Sequence, residues 1–223
     1  MRVIFLAYRK WAIDVFKTIN KNPNLTEIFL CENTNELEKF NLKKFNLLLT
    51  CGTSDRLGKE ILEEIETIGV HCAELDRYSY GSPIQNQIID GINFTKHRIF
   101  KLSHNENSIR SHAHERLFSH EVQLDLSGNI DDIFSQMTST SVVLFNKYLN
   151  DFPEISWTEW PEEEIIRKKR VPLDSKLVKE QILKMSTKEL YDFFRCLEAP
   201  YPNGYIEDKV GSLYINKVSF KKK

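Results

Sequence analysis

Val-Ile-Phe-Leu-Ala, at residues 3–7, is an unbroken apolar run, and such a run predicts a β-strand buried on both faces. Helical spacing of apolar residues follows it, at Trp11, Ala12, Val15, Phe16 and Ile19. Further strands are predicted at 27–31, 45–51 and 70–72, with a helix marked by Ile61, Leu62, Ile65 and Ile68. This alternation predicts an α/β fold with a Rossmann-like, doubly wound, mostly parallel sheet and helices on both faces.

The second half of the sequence is predicted to supply the remaining strands of this sheet and a smaller extension. Ser82 is predicted to cap a helix that begins at Pro83, and strands are predicted at 99–102 and 118–126. A long helix follows Gly128. We therefore predict a Rossmann-like domain over 1–150. Residues 151–223 are predicted to form a small α+β extension with a helix and a β-hairpin, serving for dimerisation or as a substrate lid.

The composition excludes several classes of protein. The chain has 223 residues, with 31 Lys+Arg against 32 Asp+Glu, so its net charge of -1 argues against a dedicated nucleic-acid-binding domain. Four widely spaced cysteines fit neither a disulfide framework nor a zinc site and suit a reducing cytoplasm. No apolar stretch approaches the roughly 20 residues of a membrane span, and no signal peptide is evident, so we expect a cytoplasmic protein.

Three blocks of sequence, in order, resemble the formyltransferase family. Residues 4–12 (IFLAYRKWA) are similar to the opening strand and loop of its sugar N-formyltransferases. Residues 71–89 (HCAELDRYSYGSPIQNQII) resemble the family's His-Pro-Ser-x-Leu-Pro-x-Tyr-Arg-Gly-Gly-Ser-Pro-Ile-Gln-Asn-x-Ile block. Residues 190–205 (LYDFFRCLEAPYPNGY) resemble its Arg-x-Leu-x-x-Pro-Tyr-Pro-x-Ala block. The resemblance implies the formyltransferase fold and transfer of a formyl group from formyl-tetrahydrofolate to an amine.

The resemblance also implies a catalytic constellation of Asn-x-His and a later Asp. His71 falls on the histidine, which would accept the proton of the attacking amine. The asparagine position is Gly69, so an amide donor to the developing oxyanion is lost. The aspartate position is His114, or His112 if the gap is placed differently. We therefore predict His71 and His114 as the catalytic pair, in a constellation that departs from the family.

Other positions are assigned by the same resemblance. The loop after the third strand, with Gly52, Thr53 and Ser54, is expected to hold folate, together with Leu75 and Asp76. The substrate-binding residues are expected to be Tyr78, Ser82, Gln85 and Asn86. The helix that starts after Ser82 would present its N–H groups to an anion.

Five histidines at positions 97–120 raise a metal alternative. A zinc site is one interpretation of His112 and His114, but their spacing fits no zinc pattern, and a polar loop or a rebuilt active site explains them better. No metal is expected. The basic run at 167–170 is predicted to be a solvated helix face.

The leading hypothesis is a sugar N-formyltransferase whose acceptor is a nucleotide-linked amino sugar. The form of the 81–88 block, the neutral charge and a chain shorter than the tRNA enzymes favour a sugar over tRNA. A homodimer is expected, with neither nucleic-acid nor membrane partners. Two alternatives stay open, namely a catalytically degenerate binding protein and an acyltransferase that uses a different donor.

Overall fold

A computed structural model describes residues 1–73, 75–78, 81–103, 114–159 and 167–222 of the chain, with only the backbone described at 75, 76 and 114–116.

A seven-stranded, mixed sheet forms the framework, in the order β2-β1-β3-β4-β5-β6-β7. Its strands are β1 Arg2–Leu6, β2 Glu27–Cys31, β3 Leu47–Thr50, β4 Thr67–His71, β5 Phe94–Leu102, β6 His114–Asp125 and β7 Thr158–Glu159. The first four strands pair in parallel, whereas β5 is antiparallel to β4 and β7 is antiparallel to β6. The predicted doubly wound, mostly parallel sheet is confirmed.

Helices and a second sheet complete the chain. The α-helices are α1 Lys10–Ile19, α2 Lys59–Glu64, α3 Leu75–Tyr78, α4 Pro83–Ile89, α5 Ile130–Asp151, α6 Lys179–Ile182 and α7 Thr187–Arg195. Short 3-10 helices occupy Thr34–Lys39, Leu42–Lys44 and Pro172–Ser175. The second sheet contains β8 Lys176–Leu177, β9 Gly204–Glu207 and β10 Ser212–Ile215, in the order β10-β9-β8.

The central strands are apolar throughout because both of their faces are covered. One face carries Val3, Phe5, Leu47 and Leu49 against the apolar sides of α1 and α5. On the other face, Ile4, Leu6 and Leu48 pack with Leu37, Leu42 and Ile65. Successive side chains of a strand point to opposite faces, so a strand covered on both sides needs a continuous apolar run rather than an alternating one.

One predicted helix is wrong at its carboxyl end. Ile61, Leu62, Ile65 and Ile68 share helical spacing, but α2 ends at Glu64, and Ile68 belongs to β4, where it pairs with Leu49. A short helix that leads directly into a buried strand keeps its apolar residues close together, so periodicity alone cannot find the boundary. The same strand begins at Thr67, three residues before its predicted start.

The chain forms two compact units that are discontinuous in sequence. The first unit contains Met1–Cys72, Lys96–Leu124 and Ser135–Glu162, and the second contains Ala73–Thr95, Asp125–Phe134 and Glu163–Lys223. The division into 1–150 and 151–223 stays a prediction. A capping box begins α7, because Glu189 N donates to Ser186 Oγ (3.2 Å) and Ser186 N donates to Glu189 Oε2 (2.7 Å).

Candidate active site

His71 is the last residue of β4 and lies at the edge of the sheet where parallel strands β1 and β3 also end. Ligand sites of open α/β sheets are found at this carboxyl edge. The side chain is half-buried, its Nε2 atom is fully buried, and the ring meets the edge of Phe100 with 6.3 Å between centroids and an interplanar angle of 86°. An apolar ring thus shields one side of the imidazole from water.

The same aromatic ring occupies the space beside Gly69. A Cβ atom at this glycine would lie 2.6 Å from Cζ of Phe100 and 2.9 Å from Oγ1 of Thr50. Such distances are too short for carbon contacts, so this backbone accepts only glycine while Phe100 stays in place. Gly69 stands where the resemblance implies an asparagine, and the ring of Phe100 occupies the space that a side chain there would need.

Arg98 stands directly across from His71 in the β4–β5 pair. Its Nε donates to Oε2 of Glu121 (2.8 Å), and its guanidinium carbon lies 4.5 Å from the ring centre of Phe118. Lys96 also forms an ion pair with Glu121. Burial raises the pKa of Glu121, but the hydrogen bonds from Lys96 and Arg98 outweigh burial and lower it. Sequence reasoning missed this group, although alternating basic residues on a strand were a signal.

The predicted folate loop follows β3 at the same edge of the sheet. Gly52 has a φ of 59°, and a Cβ there would lie 2.9 Å from Cζ2 of Trp11, so the loop packs tightly on α1. Thr53 Oγ1 accepts the N–H of Asp55 (3.1 Å), and Ser54 Oγ shares a hydrogen bond with the hydroxyl of Tyr8 (3.0 Å). Two loops of the sheet edge are therefore held together beside β4.

His114 begins β6, and its side chain lies outside the described part of the chain, as does the whole of His112. His114 precedes Glu121 by seven residues, and Glu121 bonds to the residue opposite His71. At a rise of about 3.3 Å per residue, this corresponds to about 23 Å along the strand. Its pairing with His71 stays a prediction. The side chains of Leu75 and Asp76 in α3 are also outside the description.

In the second unit, Tyr78 belongs to a small network rather than standing alone. Its hydroxyl donates to Oδ2 of Asp90 (3.2 Å), and Arg167 Nε donates to the same carboxylate (3.1 Å). Burial, followed by the charge of Asp90 and the hydrogen bond to it, raises the pKa of Tyr78 to about 12. The phenol therefore stays protonated at neutral pH.

Ser82 and Asn86 bind the chain's own backbone. Ser82 has a φ of 53°, its side chain does not cap α4, and its Oγ accepts the N–H of Arg170 (3.3 Å). The predicted cap is wrong because a capping side chain requires extended backbone at that residue. Asn86 Nδ2 donates to the carbonyl of Lys168 (3.0 Å). Gln85 differs, since it is 3% exposed and its Nε2 has no hydrogen-bond partner within the described residues.

The basic run at 167–170 is exposed at Arg167, Lys168 and Lys169, as predicted, but it is not helical. Arg167 pairs with Asp90, and Arg170 donates to the carbonyl of Asp174 and lies over the ring of Phe193. These contacts lie within the second unit, and the run has no helical turn. Charge spacing alone does not reveal such long-range partners.

His97 and His120 each contact a different side chain. His97 is 1% exposed, and its Nδ1 lies 2.7 Å from Oγ1 of Thr140. Burial lowers its pKa to about 3. His120 Nε2 lies 2.9 Å from Oδ2 of Asp151. Among the described residues no three His, Cys, Asp or Glu side chains converge as a metal site would require. His104 lies outside the description.

All four cysteines are buried, and none of them forms a disulfide. Burial raises the pKa of Cys72, next to His71, to about 12, so this thiol is not a nucleophile at neutral pH. Within the described ranges, no helix is long and apolar enough to cross a membrane.

This architecture is the formyltransferase fold. Among solved structures, methionyl-tRNA formyltransferase from Clostridium thermocellum is similar with a TM-score of 0.80 and 24% identity, over 99% of this chain and 94% of that one. A 4-N formyltransferase from Francisella tularensis is similar with a TM-score of 0.74 and 14% identity, over 99% and 98% of the two chains. No protein-family model and no curated protein matches the sequence.

A third similar structure is HypX from Aquifex aeolicus in complex with tetrahydrofolic acid. Its TM-score is 0.73 at 15% identity, and the match covers 97% of this chain but 37% of HypX. At these identities the comparisons establish the fold.

Proposed function

We propose that this protein is an N-formyltransferase that moves the formyl group of formyl-tetrahydrofolate to the amine of a nucleotide-linked amino sugar. The observation that carries the proposal is the placement of His71 at the carboxyl end of β4, beside the loop that follows β3, in a formyltransferase fold. An imidazole is the side chain whose ordinary pKa lies closest to neutral pH, which suits both acceptance and return of a proton.

The chemistry assigned to His71 is proton transfer. The acceptor amine attacks the formyl carbon, a new C–N bond forms, and the carbonyl electrons move to oxygen. His71 takes the proton that the amine loses. When the oxyanion collapses, the bond from the formyl carbon to the folate nitrogen breaks, and the leaving nitrogen takes the proton back from His71. The ring of Phe100 limits water on one side of the imidazole, which favours transfer to the amine over hydrolysis.

The donor site is proposed at Gly52, Thr53 and Ser54. Parallel pairing of β3 and β4 sets this loop next to His71, and it offers backbone groups together with two hydroxyls. Such groups suit the amide-like edge of a pterin ring. A similar structure is described in complex with tetrahydrofolic acid, which supports a folate donor. The donor supplies the formyl group. Leu75 and Asp76 stay predicted folate contacts.

The acceptor is proposed to be a sugar because of the 81–88 block, the neutral charge and the sugar-enzyme neighbours. One of them is titled a likely sugar N-formyltransferase from Mycobacterium tuberculosis, with a TM-score of 0.75 and 11% identity over 100% of this chain and 99% of that one. Among the four residues proposed to bind the substrate, Gln85 is the one whose buried amide nitrogen Nε2 has no hydrogen-bond partner within the described residues. Ser82, Asn86 and Tyr78 are then proposed to stabilise the conformation of the chain segment that contains Gln85.

The test is a formyl-transfer assay. The protein is incubated with formyl-tetrahydrofolate and, separately, with uridine- and thymidine-diphosphate amino sugars and with methionyl-tRNA, and the formylated product is detected by mass spectrometry. Formylation of a nucleotide sugar, with at least about a hundredfold loss in His71→Ala, is expected. His120→Gln is the matched control and keeps the activity. Formylation of methionyl-tRNA alone would replace the acceptor class, and no product from any acceptor would overturn the proposal.

One observation favours a second function, that of a folate-binding protein without turnover. Phe100 fills the space that an amide at Gly69 would need. Calorimetry with tetrahydrofolate distinguishes the two functions, because binding without formyl transfer supports the second.

A further inference from the structure

The proposed reaction needs a hydrogen-bond donor for the oxyanion, and the family amide is missing at Gly69. Phe100 fills the space beside that glycine and has no polar atom. Removal of one oxyanion donor typically reduces kcat by about 10²- to 10³-fold. An active enzyme with this sequence therefore needs another donor on the same face of the sheet as His71.

Arg98 meets the geometric requirement. It pairs directly with His71 across β4 and β5, and directly opposed residues of antiparallel strands project to the same face with Cβ atoms about 5 Å apart. Arg98 is also the diagonal neighbour of Gly69, whose direct partner is Phe100. An arginine at this position is long enough to extend over either residue of β4.

The guanidinium of Arg98 is held in one orientation. Its Nε donates to Glu121 (2.8 Å), its carbon lies over the ring of Phe118 at 4.5 Å, and its side chain is 11% exposed. A donor fixed before the reaction costs little reorganisation, and a mostly buried charge acts more strongly than one in water.

We propose that Arg98 stabilises the oxyanion formed at the formyl carbon, in the role of the amide that Gly69 cannot supply. The inference rests on the proposed formyl-transfer function. Arg98 gains and loses no proton in the step, because His71 carries the amine proton and the electron pair on oxygen returns to carbon as the folate nitrogen leaves. Glu121 is a positioning residue for the guanidinium.

The matched variants are Arg98→Gln and Lys96→Gln. Both cations pair with Glu121. Lys96 precedes Arg98, the residue opposite His71, by two positions in β5. Arg98→Gln is expected to lower kcat by about 10²- to 10³-fold with a KM for the folate donor within a few-fold of wild type. Lys96→Gln keeps kcat within a few-fold. Arg98→Lys, which retains the charge but loses the planar fork, is expected to fall between the two.

Thermal unfolding and folate binding are measured on each variant so that misfolding is recognised, and Arg98→Lys replaces Arg98→Gln if the latter does not fold. An unchanged kcat in a folded Arg98 variant overturns the inference while the proposed function stands. Equal losses in Arg98→Gln and Lys96→Gln overturn it too, because the effect then belongs to the Glu121 ion pairs. Absence of transfer in the wild-type protein overturns both proposals.

Discussion

The polar residues at the end of β4 differ in their environment from those of the helices in the second unit. In the second unit, the residues that most resemble the formyltransferases are bound to their own backbone, as with Asn86 on Lys168 and Ser82 on Arg170. At the end of β4, the residues differ from the motif that the resemblance implies, and His71 lies at the carboxyl edge of the sheet. The clearest motif therefore identifies the fold, whereas the proposed chemistry depends on positions that differ from that motif.

Arg195 shows how far the second unit commits its charges to structure. It is 2% exposed, pairs with Asp192 (2.7 Å), and donates Nη1 to the carbonyls of Leu126 (2.6 Å) and Gly128 (2.8 Å). A buried cation with all these partners links α7 to the chain segment before α5. Arg195 therefore has a structural role in the second unit.

The largest expected effect is on this buried pair. Arg195→Met leaves the Asp192 carboxylate and two carbonyls without a buried donor, and we expect a loss of about 3–5 kcal/mol in the free energy of unfolding, measured by urea denaturation. Lys188→Met is the matched control, because Lys188 pairs with the same carboxylate but is 44% exposed, and it should cost below about 1 kcal/mol. Similar losses in both variants would contradict a structural role specific to Arg195.

A second variant tests the packing at the other region. Gly69→Asn forces a side chain against Phe100, and we expect about 1–3 kcal/mol of destabilisation from overpacking. Gly211→Asn is the control, because a Cβ there meets nothing within 4 Å. In a Phe100→Ala background, the cost of Gly69→Asn should be smaller, because only the contact with Thr50 Oγ1 remains, as a double-mutant cycle would show. Additive effects would mean that the ring does not exclude the amide.

Acid sensitivity should arise from His97 in the first unit. Burial lowers its pKa from 6.5 to about 3, so the unfolded chain binds a proton that the folded chain does not. Stability is then fully present above about pH 6.5 and is lost as the pH falls toward 3. One unit below 6.5 the loss is about 1.4 kcal/mol. Urea denaturation at pH 7.5 and 5.5 measures it.

His97→Gln should remove most of that difference between the two pH values, whatever its effect on stability at pH 7.5. His120→Gln retains the difference, because His97 is still present. An undiminished acid loss in His97→Gln would assign the effect to other groups.

The smallest effects distinguish two neighbouring amides of α4. Asn86→Ala leaves the carbonyl of Lys168 without its donor and should cost about 1 kcal/mol. Gln85→Met removes an amide whose Nε2 has no partner in the described chain, so stability should be unchanged or slightly higher. If Gln85 binds the acceptor as proposed, the same variant raises KM for the amino sugar. Equal stability and an unchanged KM would remove Gln85 from the site.

The sequence by itself determined the strand-and-helix order, the parallel core and the position of His71 at a strand end. These follow from local patterns, since a doubly covered strand needs a continuous apolar run. It failed at the boundary between α2 and β4, at the cap of Ser82 and at the basic run of 167–170, because each depends on distant partners.

Only the tertiary structure decided which distant residues are in contact. Phe100 fills the space at Gly69, Arg98 faces His71, and Arg195 reaches a carbonyl 69 residues away. No local period encodes such contacts, because strand register and helix packing select them from residues that are far apart in the chain. The chemistry proposed for this protein depends on those contacts.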